Sequence, residues 1–120
     1  MKKSAHQGQI DYVEFPAPSK VALNETKKFY SEAFGWHFQD WGDDYADTKS
    51  SGVGSGINAD STHRTSLPLV VIFSSDLEAT RDKIIRAGGK ISKEIFSFPG
   101  GRRFHYRDPS GNELGVWSDK

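Results

Sequence analysis

The residues best suited to chemistry lie near the end of the chain. They are Arg103, His105, Arg107, Glu113 and Trp117. Arginine binds carboxylates through paired hydrogen bonds, and histidine exchanges a proton near neutrality. The segment Asp108-Pro109-Ser110-Gly111 reads as a type I turn with glycine in the left-handed position, a common hairpin connection. If Asp108 faces Asn112, then Arg107 faces Glu113, Tyr106 faces Leu114 and His105 faces Gly115. Phe104 then faces Val116, and Arg103 faces Trp117. Side chains alternate across a strand. Phe104, Tyr106, Leu114 and Val116 should therefore share a core face. Arg103, His105, Arg107, Glu113 and Trp117 should share the opposite, cleft face. There Arg103 is expected to stack on Trp117 or to bind a ligand carboxylate, and His105 to donate or accept a proton. For Arg107 with Glu113 the simpler reading is a cross-strand ion pair beside the turn, contributing a fraction of a kcal/mol.

The same alternation applies to Ile10-Asp11-Tyr12-Val13-Glu14-Phe15. With Val13 and Phe15 on the core side, Tyr12 and Glu14 point into the cleft. Trp41 and Tyr45 are further candidates to line it. The expected ligand-binding set is thus Tyr12, Glu14, Trp41, Tyr45, Arg103, His105 and Trp117. The acid–base candidates are His105, Glu14 and Glu113. Trp36, which follows a helix-ending glycine, is expected to pack, and His37 to sit exposed on a strand. His6 and His63 lie in polar segments and should be solvated. Gly52-Val53-Gly54-Ser55-Gly56 is not a phosphate loop, since no lysine follows and no helix opens there. Pro99-Gly100-Gly101 reads as a loop beside the cleft.

Positioning these residues falls to a repeated set of elements. Ala22-Leu23-Asn24-Glu25-Thr26 resembles Asp76-Leu77-Glu78-Ala79-Thr80, and Ala33-Phe34-Gly35 resembles Ala87-Gly88-Gly89 at the same offset. Both segments carry apolar residues at helical steps and end at a glycine suited to a C-cap. Asp76 is the expected N-cap of the second helix, with Ser75 as rival; Ser19 or Asn24 serves the first. A strand precedes each helix, at Ile10–Phe15 and Leu67–Phe73. Three strands follow each: near His37–Trp41, Tyr45–Thr48 and Val53–Asn58, then near Lys90–Phe98, Arg102–Arg107 and Glu113–Ser118. The expected fold is α+β: two β-α-β-β-β modules, about 8–58 and 67–118, joined by a linker at 59–66. Their strands would form an incomplete barrel around a cleft, with the helices outside. A ferredoxin-like sandwich is the rival, but it leaves the third strand of each half unexplained.

Composition bounds the rest. The chain has 120 residues, with 16 basic and 16 acidic side chains and no formal net charge. Nothing favours a broad electrostatic grip on nucleic acid or an anionic membrane. The longest apolar run, Leu67–Phe73, is far short of the roughly 20 residues of a membrane helix. No secretory signal is read at the start, where Ser4, His6 and Gln7 follow the basic residues. The absence of cysteine excludes disulfides and thiolate ligands. One domain in the cytoplasm is expected. Mean hydropathy is −0.64, yet aromatic residues make up 12%. That excess has to serve a core and a ligand cavity.

The pattern resembles the vicinal oxygen chelate superfamily, which groups glyoxalases, bleomycin-resistance proteins and extradiol dioxygenases. Its carriers are Phe29-Tyr30 with Ala33-Phe34-Gly35-Trp36, Asp76-Leu77 with Ala87-Gly88-Gly89, Phe98-Pro99-Gly100-Gly101-Arg102-Arg103-Phe104 and Asp108-Pro109-Ser110-Gly111-Asn112. The resemblance implies a homodimer and a small-molecule cavity. In many relatives it also implies a divalent metal held by His, Gln or Glu from four strands. Those positions fall here on Tyr12, Leu69, Gly115 and a residue near Gly56, which lack the usual ligand side chains. No cofactor is expected, and no divalent metal. The reading is therefore a small-molecule binder of the bleomycin-resistance type, with a homodimer and a small-molecule ligand as its partners. The alternative is a lyase- or dioxygenase-like enzyme of the same superfamily, acting without metal or with an unconventional metal site.

Overall fold

The structure, a computed structural model, describes residues 6–120. The chain divides into two compact units, residues 12–69 and residues 70–120 with the segment before residue 12. Each consists of a helix on a four-stranded sheet.

In the unit of residues 12–69, strand β1 (Ile10–Pro16) leads to helix α1 (Lys20–Phe34), then β2 (Gln39–Asp40), β3 (Tyr45–Thr48) and β4 (Gly54–Asn58). The strands lie in the order β2-β3-β4-β1. β1 runs parallel to β4, and the other neighbours are antiparallel. Ser19 caps α1, its hydroxyl accepting from the Ala22 amide at 3.0 Å. Gly35 closes it at φ 74°, a conformation that costs glycine nothing. Leu23 of α1 packs with Ala17, Ala46, Ile57 and Ala59. The other face of the sheet carries Tyr12, Glu14, Tyr45 and Asn58, as alternation requires. Phe15, on the helix side, stacks on Tyr30 at 6.1 Å. The strand expected over 37–41 shrinks to Gln39–Asp40. His37 and Trp41 lie outside it, and Gly42 turns the chain back at φ 73°.

In the other unit, β5 (Leu69–Phe73) leads to α2 (Leu77–Arg86), then β6 (Lys90–Phe98), β7 (Gly101–Arg107) and β8 (Glu113–Ser118). The order is β5-β8-β7-β6. Asp76 caps α2 by accepting from the Ala79 amide at 3.1 Å. Leu77 packs with Phe104 and Val116, and Ile84, Ile91, Ile95 and Tyr106 pack around them. Backbone bonds between Gly8 or Gln9 and Phe73 tie the start of the chain to β5.

The β7–β8 register is the expected one: Arg103↔Trp117, Phe104↔Val116, His105↔Gly115, Tyr106↔Leu114 and Arg107↔Glu113. The turn is closed by Asp108. Its carbonyl accepts from the Gly111 amide at 2.8 Å, and Gly111 sits at φ 86°. Each unit thus contains one strand before its helix and three after it. The chain has the α+β, doubled β-α-β-β-β organisation rather than the ferredoxin-like one. Residues 59–68 hold neither helix nor strand.

Candidate functional site

Each unit collects polar and aromatic side chains on the sheet face that its helix leaves uncovered. In the unit of residues 12–69 these form a hydrogen-bonded chain. The hydroxyls of Tyr12 and Tyr45 lie 2.6 Å apart. Tyr45 donates to Glu14 Oε1 at 2.9 Å, and the Asn58 side-chain amide donates to Glu14 Oε2 at 3.1 Å. Glu14 is only 2% exposed. A carboxylate so deep requires donors on both oxygens, and Tyr45 and Asn58 supply them. Burial chiefly, and then the neighbouring Glu14 charge and Tyr12, push the Tyr45 hydroxyl well above the usual phenol range. Tyr45 therefore stays neutral.

Gly56 makes this chain possible. It stands beside Glu14 in β1 and beside Asp47 in β3. A β-carbon at 56 would collide with the hydroxyls of both Tyr12 and Tyr45, and would lie 2.7 Å from Tyr45 Cζ. The space of the missing side chain is filled by phenol groups.

On the other unit the face away from the helix is cationic and centres on Phe96. The Arg103 guanidinium lies 5.3 Å from the Phe96 ring centre and the Lys93 ammonium 5.1 Å from it. His105 meets the same ring edge-on at 5.9 Å. Arg103 is 8% exposed and His105 1%. Glu113 accepts from the Ser92 hydroxyl at 2.8 Å, and its Oε2 lies 3.6 Å from His105 Nδ1. That separation suits an ion pair with protonated imidazole and exceeds a hydrogen bond. Arg107 is a weak member, 4.0 Å from Glu113 with its side chain about half exposed. It is the expected cross-strand pair and no more.

Lys93 and Phe96 were not legible in the sequence. Simple alternation puts residues 93 and 96 on opposite faces. Two bulges in β6, between Ile91 and Lys93 and between Lys93 and Phe96, bring them to one. Lys93 then pairs with His105, and Phe96 with Arg103.

A doubled β-α-β-β-β chain with a polar sheet face in each unit can be compared with known proteins. A family model described as the glyoxalase/bleomycin resistance protein/dioxygenase superfamily matches residues 21–116. The chain belongs to that superfamily. Comparison with curated proteins gives no match. Among solved structures, the NAD-dependent benzaldehyde dehydrogenase from Legionella pneumophila is similar at a TM-score of 0.73 and 13% identity, over 91% of this chain and 98% of that one. Methylmalonyl-CoA epimerase from Mycobacterium tuberculosis gives 0.64 and 15%, over 98% and 92%. A superfamily member from Vibrio splendidus 12B01 gives 0.62 and 12%, over 89% and 95%. At these identities the likeness establishes the fold.

Many members of the superfamily hold a divalent metal, and the corresponding positions here do not fit one. Gly56 and Gly115 bring no side-chain donor, and Leu69 is apolar and 1% exposed. At Gly56 the volume a ligand would need is taken by the two phenol hydroxyls. Catalytic zinc takes three protein donors, commonly His and carboxylate, and calcium takes six to eight oxygens. Among the described residues, no three His, Asp or Glu are grouped to supply them.

Trp117 donates its indole N–H to Asp11 at 3.0 Å and meets Phe73 edge-on at 5.2 Å. Trp41 is 58% exposed and joins neither hydrogen-bonded cluster. Trp36 stacks on Tyr30 at 4.7 Å and packs, as expected.

Proposed function

We propose that the chain is a small-molecule-binding protein of the glyoxalase/bleomycin-resistance type whose ligand carries a carboxylate. One observation carries this reading. Arg103 and His105 are almost wholly buried, yet they lie on the sheet face away from the helix-packed core, around a single aromatic ring. A planar cation laid on Phe96 is already oriented for a planar anion, so little ordering remains when a ligand arrives. Phe96 supplies apolar area for a ligand ring. The ligand binds without a divalent metal, and the protein acts as a homodimer in the cytoplasm, without nucleic-acid or membrane partners.

The test is a thermal-shift series with benzoate, phenylacetate and short aliphatic carboxylates. At a hundred times its dissociation constant a ligand stabilises the protein by about 2.7 kcal/mol. That corresponds to roughly 10 °C for a domain of this size. Arg103→Gln should abolish the shift while uncharged analogues leave both proteins unmoved. Equal stabilisation of wild type and Arg103→Gln defeats the reading.

A second reading is an enzyme of the same superfamily. It is favoured by the proximity of His105 Nδ1 to Glu113 Oε2, at 3.6 Å within a buried face. A histidine and a carboxylate at this separation are groups that can take part in proton transfer. Turnover of a carboxylate found in the first experiment, lost in His105→Asn, distinguishes this from simple binding. Elemental analysis of protein purified without chelator tests for a metal: a stoichiometric ion would overturn the metal-free reading.

A further inference from the structure

β6 carries Lys93 and Phe96 to the cationic face only because it is bulged. Nine residues of β6 stand against seven of β7. The first extra residue falls at Ser92, between the pairs Ile91↔Tyr106 and Lys93↔His105. The second falls within Glu94-Ile95, between Lys93↔His105 and Phe96↔Arg103. An extra residue interrupts the ladder, so backbone pairing fixes the register less firmly there. β6 is also the end strand of its unit, bonded to β7 on one side. Something besides the ladder has to hold the bulges.

We propose that Arg81 and Glu94 are positioning residues. Their ion pair, on the helix side of the sheet, fixes the second bulge of β6 and so keeps Phe96 beside His105 on the opposite face. This role rests on the carboxylate reading for the ligand of that face.

Leu77 and Ile84 of α2 pack onto the sheet. Arg81 lies between them at helical spacing, on the same face of the helix. Its guanidinium takes the Glu94 carboxylate with both branches, Nε to Oε1 at 2.9 Å and Nη2 to Oε2 at 2.7 Å. The Arg81 side chain is largely covered, that of Glu94 exposed. Most surface ion pairs matter little, but a two-pronged arginine pair fixes direction as well as distance. The Arg81 hydrogen bond holds Glu94 below the usual carboxylate range, so the pair is intact at neutral pH.

Direction is what this bulge requires. Ile95 packs against the core of Leu77, Phe104 and Val116. With Glu94 drawn to α2 and Ile95 seated in that core, two successive residues lean to the helix side. That breaks the alternation once and leaves the flanking residues, Lys93 and Phe96, on the other side. There the Phe96 ring lies under Arg103 and meets His105 edge-on. If Glu94 is released, a slip of one residue carries Phe96 to the helix side. The first bulge is tied separately, by the Ser92 hydroxyl to Glu113 at 2.8 Å.

The experiment combines NMR of the full chain with benzoate titration. In the wild type the ring protons of Phe96 and His105 should give a cross-peak, since the rings lie 5.9 Å apart. In Glu94→Gln and in Arg81→Gln the cross-peak and the benzoate affinity should fall by the same factor, about three-fold, because apparent affinity scales with the fraction of molecules in the binding arrangement. The reversed pair, Arg81→Glu with Glu94→Arg, should restore both. Glu78→Gln breaks the pair that α2 makes with Arg102 of β7, and should change neither. A cross-peak undiminished in the single variants overturns the positioning role. So does an equal loss in Glu78→Gln, which marks a general loosening of α2, or a reversed pair that restores nothing. Cross-peak or affinity falling without the other overturns it as well. Either single variant suffices if the other does not fold. If the wild type takes up no benzoate, the carboxylate reading fails, and the cross-peak still decides the role of Arg81 and Glu94.

Discussion

Gly56→Ala is a single methyl group placed where two phenol hydroxyls already sit. The added carbon would overlap the hydroxyls of Tyr12 and Tyr45 and approach Tyr45 Cζ to 2.7 Å. Both rings must therefore withdraw. Withdrawal breaks the 2.6 Å bond between the hydroxyls, a neutral pair contributing about 1 kcal/mol. It also breaks the 2.9 Å bond to Glu14, which involves a charge and contributes about 1.5–3 kcal/mol. Alanine recovers roughly 0.5–1 kcal/mol through its lower backbone entropy in a strand. The net loss should be about 2.5 kcal/mol, or roughly 10 °C in Tm. Urea unfolding followed by circular dichroism measures it, with the m-value as the check that only stability has changed. The decisive comparison is the same substitution in a Tyr12→Phe/Tyr45→Phe background. There the hydroxyls are gone, only the Tyr45 ring carbon remains in the way, and the loss should fall to about 1 kcal/mol. If the two effects add within about 0.5 kcal/mol, the hydroxyls do not occupy the Gly56 site and the reasoning fails.

Two further predictions concern the other unit. Asp108 is held below its usual value of 3.8, first by the Asn112 side chain and then by backbone N–H groups of Asn112, Ser110 and Gly111. A depressed folded-state value means that its contribution is complete above pH 3.8 and is lost as pH falls through the folded-state value. Stability of the wild type should therefore decline in that acid window more steeply than that of Asp108→Asn. Parallel acid limbs in urea titrations of the two proteins would exclude it. Trp117→Phe removes the N–H that Asp11 accepts at 3.0 Å and should cost about 2 kcal/mol. Asp11→Asn, which keeps a carbonyl acceptor, should cost less than half of that; equal losses would show that the bond is not the cause.

The fold was largely legible in the sequence because its signals are local. Asp108-Pro109-Ser110-Gly111-Asn112 fixes both the length and the left-handed residue of one turn, and the whole β7–β8 register follows from it. Ser19 and Asp76 cap through side chains three residues from their targets. The candidate sites were legible only in part. Alternation brings Tyr12 to the side of Glu14 within one strand, but β3 has to dock on β4 before Tyr45 reaches them. Nothing in the short run around Tyr45 announces that register. The cationic face was harder still. The bulges of β6 reverse the parity on which any reading of Lys93 and Phe96 depends. Trp41 fails for a related reason: β2 is only two residues long, so alternation has no strand to act along.

The departures from the superfamily's usual ligand pattern are not independent of one another. A tyrosine at 12 and a tyrosine at 45 bring their hydroxyls together over residue 56, and only glycine leaves room for them. Any longer side chain at 56, a carboxylate included, is sterically incompatible with the pair. Conversely, glycine at 56 with smaller residues at 12 and 45 would leave a void beside the buried Glu14 carboxylate and would remove its Tyr45 donor. Tyr12, Tyr45 and Gly56 thus form one coupled solution, with Glu14 as the charge it serves. The other unit solves the same place differently. Gly115 stands in the row between Val71 of β5 and His105 of β7. A side chain at 115 would stand in register between Val71 and His105, both buried. Restoring a carboxylate therefore has different consequences at the two glycines. At 56 it expels the phenols, and at 115 it would stand beside His105 and Glu113.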